Sequence, residues 1–221
     1  MTWNIEGALA KLQFSDVISY LNTFDIFALL ETWVTRSDLI ENVFVNHTCY
    51  FCAAVKPRLY GPAKAGIAVY VRRDLCINIR RVYPDCDFAV FLQLDRHVLN
   101  LAKDILFCFV YLPPDNSPFY HDKCSRGIIL LENQLLELHT ENVHLVVAGD
   151  LNARTAEKRD YIEFVNNVPD LEEYDEILNV HNNIPDRVSC DKITNKFGSD
   201  LINFCKSYSL LIVNGRVGED R

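Results

Sequence analysis

Residues 143–154 read VHLVVAGDLNAR, and the rest of the chain is best understood outward from them. The first half, 143–148, is short, apolar and β-branched, with polar residues on either side. Such a run predicts a strand buried on both faces. Gly149 follows, where a chain turns sharply without the strain a Cβ would add. Asp150 and Asn152 come next, a carboxylate and an amide two residues apart. The mouth of a buried strand is where α/β proteins tend to place chemistry. The same pair equally fits a plain turn, with Asp150 capping a helix or bonding its own backbone. A calcium loop starting at Asp150 fits poorly: Thr155 stands where glycine is needed and Tyr161 where the bidentate Glu is needed.

The 221 residues are 49% hydrophobic and 24% charged, which suits one globular domain with a sizeable core or part of a larger one. A formal net charge of −8 provides no bulk attraction to nucleic acid. A DNA partner would need a local basic patch or a metal that offsets the acidity. No run of eighteen apolar residues appears, and the N-terminus lacks a basic start followed by an apolar core. These features predict an intracellular protein, nuclear or cytoplasmic, with no membrane and no obligate protein partner. The eight cysteines follow no framework spacing. Cys76, Cys108 and Cys205 sit in apolar runs and read as buried thiols. Cys49 and Cys52 form one C-x-x-C, which reads as neighbouring core positions on a strand, since no second pair of zinc-site spacing follows.

In chain order, Trp3, Asn4 and Ile5 before Gly7 predict a short strand and turn. Residues 8–22 carry Leu9, Leu12, Val17, Ile18 and Leu21 at helical spacing, which predicts a helix with one buried stripe. Residues 24–30 predict a core strand ending at Glu31, Thr32 and Trp33. A carboxylate there is costly unless it is solvated, paired or bound to metal. On its own, Glu31 reads first as exposed beside a turn. Residues 65–72 predict another strand, and 75–83 with 88–94 an antiparallel meander. Residues 105–112 form a further strand, stopped by Pro113-Pro114. Tyr111 is then at a strand end, where most tyrosines are core or rim aromatics. Residues 126–140 predict a helix, and 157–183 an acidic, solvated insertion holding Asp170, Glu172, Glu173, Asp175 and Glu176. A short helix over 198–210, a strand beginning at 211–213 and a turn at Asn214-Gly215 complete the chain. The alternation of helices with strands, some of them hairpins, places the chain in a mixed α/β or α+β sandwich class.

The strand-end residues, taken together, match something more specific. Trp3-Asn4 with Gly7, FDIFALLETW ending on Glu31 and Trp33, AGIAVYVR, VYLPP and VVAGDLNAR occur in an order that resembles the endonuclease/exonuclease/phosphatase family. Within it, the chain looks most like the endonuclease domain of LINE-type non-LTR retrotransposons, and residues 195–216 are similar to the segment those endonucleases carry before their last motifs. The resemblance implies a four-layer α/β sandwich of two packed mixed sheets flanked by helices, with the site at one edge. It implies that residues 1–221 are a single domain, incomplete at the C-terminus. By motif, it implies that Glu31 ligates a divalent cation, magnesium, with manganese as the alternative. It implies that Asn4 contacts the metal-water shell or the phosphate, that Tyr111 contacts the scissile phosphate, that Asp150 orients or deprotonates the attacking water near the metal, and that Asn152 positions phosphate and nucleophile. DNA is the implied substrate. These residue types suit the chemistry: a hard cation takes carboxylate oxygen, keeps several waters, and lowers the pKa of a water that a carboxylate can aim.

One departure stands out. The family closes with a strand aspartate and then a Ser-Asp-His motif. The six histidines of this chain are His47, His97, His121, His139, His144 and His181, and none follows Ser-Asp. Lacking the phosphate-binding histidine, the chain as given is expected to be impaired, since one such donor is worth about 10²–10³ in rate. A phosphatase of the same family and a non-catalytic remnant are the alternatives.

Overall fold

In a computed structural model, the structure describes residues 1–56, 63–83, 86–138, 142–162 and 184–216. The chain divides into two compact units, Met1–Leu151 and Asn152–Arg221.

The first unit is built on two four-stranded sheets. One has the order β1 (Thr2–Asn4), β2 (Ile26–Leu30), β4 (Ile67–Arg72), β3 (His47–Cys52). Within it β1 runs parallel to β2, and the other pairings are antiparallel. The other sheet has the order β5 (Ile79–Tyr83), β6 (Ala89–Leu94), β7 (Asp104–Tyr111), β8 (Val143–Asp150). It is an antiparallel meander extended by a parallel β7–β8 pair. Both sheets are therefore mixed, as expected.

The core follows from the two-residue period of a strand, which sends neighbouring side chains to opposite faces. Phe27 and Leu29 of β2, with Ala68 and Tyr70 of β4, form one buried cluster with Ala8, Leu12, Leu21, Ile40 and Phe44. Alternate residues of the same strands, Ala28, Leu30, Ile67, Val69 and Val71, face the other way. They pack against Val90, Leu92, Phe109 and Tyr111 of the second sheet. Each fully buried Leu, Val or Phe adds roughly 1.5–3 kcal/mol of hydrophobic stabilisation, so the packed sheets give the site a rigid base.

Several local expectations are corrected. The helix expected over 8–22 is two, α1 (Ala8–Lys11) and α2 (Ser15–Leu21), because Phe14 between them is extended with φ −88° and ψ 122°. The break turns Leu12 and Leu21 into the core and leaves Leu9 48% exposed. Residues 75–76 belong to a helical turn, α3 (Arg73–Cys76), and the strand begins only at Ile79. Strand β8 is not buried on both faces: it is the last strand of its sheet, and His144 and Val146 are exposed. The leucine-rich helix, α4, spans Ile128–Glu137 and buries Ile128, Leu131 and Leu135.

Cys49 and Cys52 both lie on β3. Three residues apart, they point to opposite faces, and both are free thiols. Among the described residues no helix is long and apolar enough to cross a membrane.

In the second unit, helix α5 (Lys196–Ser207) starts with Asn195 accepting from Gly198 N–H at 2.7 Å, and it buries Phe197, Leu201, Ile202 and Phe204. Residues 211–213 are not a strand. The Ile212 N–H is taken instead by the Asp160 carboxylate at 2.6 Å. Asp160 is fully buried and grips Arg216 with two hydrogen bonds of 2.7 Å, while Arg216 also donates to the carbonyls of Pro185 and Ile212. A charged side chain thus does what a strand partner would otherwise do. The acidic cluster at 170–176 lies outside the described residues.

Candidate active site

Four of the five expected site residues meet in the first unit. Asn4 ends β1, Glu31 follows β2, Tyr111 ends β7 and Asp150 ends β8. The last two are direct neighbours across the parallel β7–β8 pair. The Asn4 amide nitrogen donates to Glu31 Oε1 at 2.8 Å and to Asp150 Oδ2 at 3.1 Å. One amide therefore bridges two carboxylates that belong to different sheets. Its own Oδ1 is buried and has no hydrogen-bond partner. Buried polar atoms are rarely left so, and one at a site calls for an explanation such as an ion or its water.

Glu31 is held from several sides. Besides Asn4, the Trp33 indole N–H approaches Oε2 at 3.4 Å, and the Tyr111 hydroxyl hydrogen-bonds to it. The backbone explains why this segment stays put. Gly7 and Ala8 N–H donate to the carbonyls of Glu31 and Thr32, while Thr32 and Trp33 N–H donate to those of Gly66 and Ala65. Clamped between these, Glu31 and Trp33 adopt positive φ values of 52° and 57°. Such values are costly for side-chain-bearing residues and collect at functional sites.

Tyr111 is 8% exposed, and its backbone N–H is fixed to Phe88 O. Burial, its hydrogen bond to Glu31 and the nearby charges of Glu31 and Asp150 push its pKa well above the ordinary tyrosine value. At neutral pH the hydroxyl is therefore a proton donor. Asp150 is aimed by Gly149, which has φ 145° and where a Cβ would stand 1.9 Å from Val110 O. Only glycine lets β8 stay in register with β7 at this point.

Asn152 is the first residue of the second unit, two positions beyond Asp150, and has φ 49°. Its carbonyl accepts from Asn195 Nδ2 at 2.8 Å, and Asn195 Oδ1 accepts from Arg154 N–H at 3.0 Å. Asn195 thus fixes the backbone that follows the strand mouth. Sequence reasoning quoted Trp33 and Asn195 within longer motifs and gave neither a role. An aromatic straight after a strand-end carboxylate, and an Asn opening a helix, were the available signals.

The donor set available to a metal is all oxygen: Glu31, Asp150 and Asn4 Oδ1. This suits a hard cation that keeps several of its waters. Among the described residues no group of three or more His, Cys, Asp and Glu gathers, so a cation at this site would be held by two carboxylates, an amide oxygen and water.

A family model, Endonuclease/Exonuclease/phosphatase family, matches residues 1–174. The chain belongs to the endonuclease/exonuclease/phosphatase family. No curated protein matches it by sequence. Among solved structures, this family member is similar to the AP endonuclease LMAP from Leishmania major, at 16% identity over 75% of this chain and 57% of that one, with TM-score 0.51. It is also similar to a 3'-5' exonuclease (NExo) from Neisseria meningitidis, at 19% identity over 70% of this chain and 58% of that one, with TM-score 0.49. An AP endonuclease from Archaeoglobus fulgidus gives 18% identity over 70% and 57% of the two chains, with TM-score 0.46. The chain spans 57–58% of the length of these three structures. At such identities the likeness to LMAP shows the fold, two mixed sheets with flanking helices.

Proposed function

We propose that this chain carries the metal-binding site of a magnesium-dependent phosphodiesterase that nicks DNA, of the retrotransposon-endonuclease kind. The observation that carries the reading is the Asn4 amide, which bridges Glu31 and Asp150 while its Oδ1 stays buried and unpartnered. Glu31, with Asn4 Oδ1 and Asp150 beside it, would hold the cation, magnesium or manganese. The bound metal supplies charge neutralisation at the phosphate and a water of lowered pKa. Asp150 would orient the attacking water and accept its proton. Tyr111, kept protonated by its surroundings, donates to a phosphate oxygen, where a preorganised donor lowers the barrier. Asn152 positions the phosphate from the backbone that Asn195 fixes.

DNA is favoured as substrate by the similarity of residues 195–216 to retrotransposon endonucleases, and is in keeping with the nuclease names of the structural relatives. The absence of any Ser-Asp-His triplet in the 221 residues favours, as the second reading, a domain that binds metal without turning over. A supercoiled-plasmid assay with magnesium, run on this chain and on a version extended by a Ser-Asp-His-bearing segment, decides between them. Nicking by the extended version, lost on Asp150→Ala, supports the enzyme. No nicking by either, with magnesium still bound, supports the non-catalytic reading. Release of phosphate from a 3'-phosphorylated oligonucleotide without nicking points to a phosphatase.

A further inference from the structure

Trp33 has features that a packing role does not account for. It is 42% exposed. It holds a φ of 57°, a region in which bulky side chains are strained. Its six-membered ring lies over Gly7, so closely that a Cβ there would be 2.9 Å from Cε3. Gly7 itself has φ 96°. Two unusual backbone positions are thus arranged around one ring, which is then left open to solvent. Its N–H meanwhile points at Glu31 Oε2, at 3.4 Å. The Trp33 backbone N–H donates to Ala65 O, which fixes the residue further. Exposed aromatic faces are how proteins hold unstacked bases, because every base offers a π-face.

We propose that Trp33 is a substrate-contacting residue of this site, stacking on an unpaired nucleobase next to the scissile phosphate while its indole N–H positions Glu31. The substrate class that follows is DNA with a single-stranded or locally unstacked base at the cut, not uniformly paired duplex. This rests on the phosphodiesterase reading for the nature of the polymer, and it extends that reading to the conformation recognised.

The test is a binding experiment that needs no turnover. The chain contains two tryptophans, Trp3 and Trp33, so Trp3→Phe leaves Trp33 as the only indole reporter. In this variant, with metal chelated, a single-stranded oligodeoxynucleotide should quench the fluorescence saturably. The same strand bearing abasic sites should not, and its duplex should quench only weakly. In the otherwise native chain, Trp33→Ala should weaken binding of the single strand roughly tenfold, and Trp33→Phe should restore most of it, since a ring is retained. The magnesium concentration that half-saturates thermal stabilisation should rise about tenfold in both variants, because both lack the N–H on Glu31. A purely structural Trp33 would give no base-dependent quenching and no split between Phe and Ala. Equal quenching by the abasic strand, or duplex bound as tightly as single strand, overturns the proposal. If Trp33→Ala does not fold, the fluorescence comparison alone decides. Because these oligonucleotide arms contain no metal, their failure is separate from failure of the phosphodiesterase reading, which the magnesium and nicking assays address.

Discussion

Asn4 and Asp150 lie 146 residues apart and share a hydrogen bond of 3.1 Å, made by the same amide group that reaches Glu31. The first strand of one sheet is thereby joined to the last strand of the other at the point where both end. Two carboxylates held this way, with a bare amide oxygen beside them, are the oxygen donors that the proposed cation would meet.

Magnesium should therefore stabilise the fold. At a hundredfold excess over Kd, binding to the native state alone contributes roughly 2.7 kcal/mol. For a chain of this size that corresponds to an upward shift in Tm of about 5–10 °C. Differential scanning fluorimetry with and without magnesium measures it, and Glu31→Gln should remove the shift. A shift that persists in Glu31→Gln places the cation elsewhere.

Asp150→Ala should abolish nicking in the version extended by a Ser-Asp-His segment, by at least about 10⁴-fold if proton removal and water alignment are both lost. The circular dichroism spectrum should not change, since Asp150 is only half-buried at a strand end. Comparable activity in the variant would mean that another group activates the water.

Gly149→Ala should damage the site through the backbone. With the new Cβ placed 1.9 Å from Val110 O, β8 must shift away from β7. The Tyr111–Asp150 pairing then loosens, and magnesium-dependent stabilisation should fall along with Tm. Backbone amide exchange at Leu112 reports the loosening, since Leu112 N–H donates to Asp150 O at 2.9 Å. Exchange rates like those of the unsubstituted chain would show that β8 absorbs the methyl group.

Asn195→Asp keeps the oxygen that receives Gly198 and Arg154 N–H but loses the donor to Asn152 O. Stability should drop by about 1 kcal/mol, the worth of one hydrogen bond. Turnover by the extended version should fall roughly ten- to a hundredfold with KM little changed, because a small misplacement of a positioning group is costly. Loss of KM alone would make Asn195 a binding residue.

The Asp160–Arg216 pair should make the second unit acid-sensitive. Burial alone would raise the Asp160 pKa, but the hydrogen bonds and charge of Arg216 and the Ile212 N–H outweigh it and hold it below the ordinary 3.8. A carboxylate with a lowered folded pKa contributes stability above its unfolded value, and that contribution is lost as pH falls through the folded one. Limited proteolysis of residues 184–216 should therefore accelerate only below about pH 4. Asp160→Asn should mimic this at neutral pH, costing about 3–5 kcal/mol by leaving Arg216 buried without its partner. Asp160→Asn with Arg216→Gln should recover part of it. Protection unchanged between pH 7 and pH 3 would count against the pair.

Most of the strands were legible because their signals are local. The continuous apolar run 26–30 and the Pro113-Pro114 stop after β7 both act within a few residues, whereas the turn expected at Gly149 did not end β8, which pairs with β7 through Asp150. The order of motifs ending on Asn4, Glu31, Tyr111 and Asp150 was enough to indicate the family and the residues to watch. Where the sequence misled, the cause was nonlocal. The helical spacing of 8–22 could not show that Phe14 would be extended, because the break goes with Leu12 and Leu21 both reaching one core. The apolar run 143–148 looked doubly buried, and its exposure depends on β8 being last in its sheet. The apolar 211–213 looked like a strand, and the Asp160 carboxylate, far off in sequence, took its N–H instead. Sequence by itself therefore determined the family and most of the strands. The bridge from Asn4 to two carboxylates, the unpartnered Oδ1, the grip of Trp33 on Glu31 and of Asn195 on Asn152 were decided only by tertiary structure. Hydrogen bonds between residues distant in the chain depend on where packing puts each strand end, and no local pattern records that.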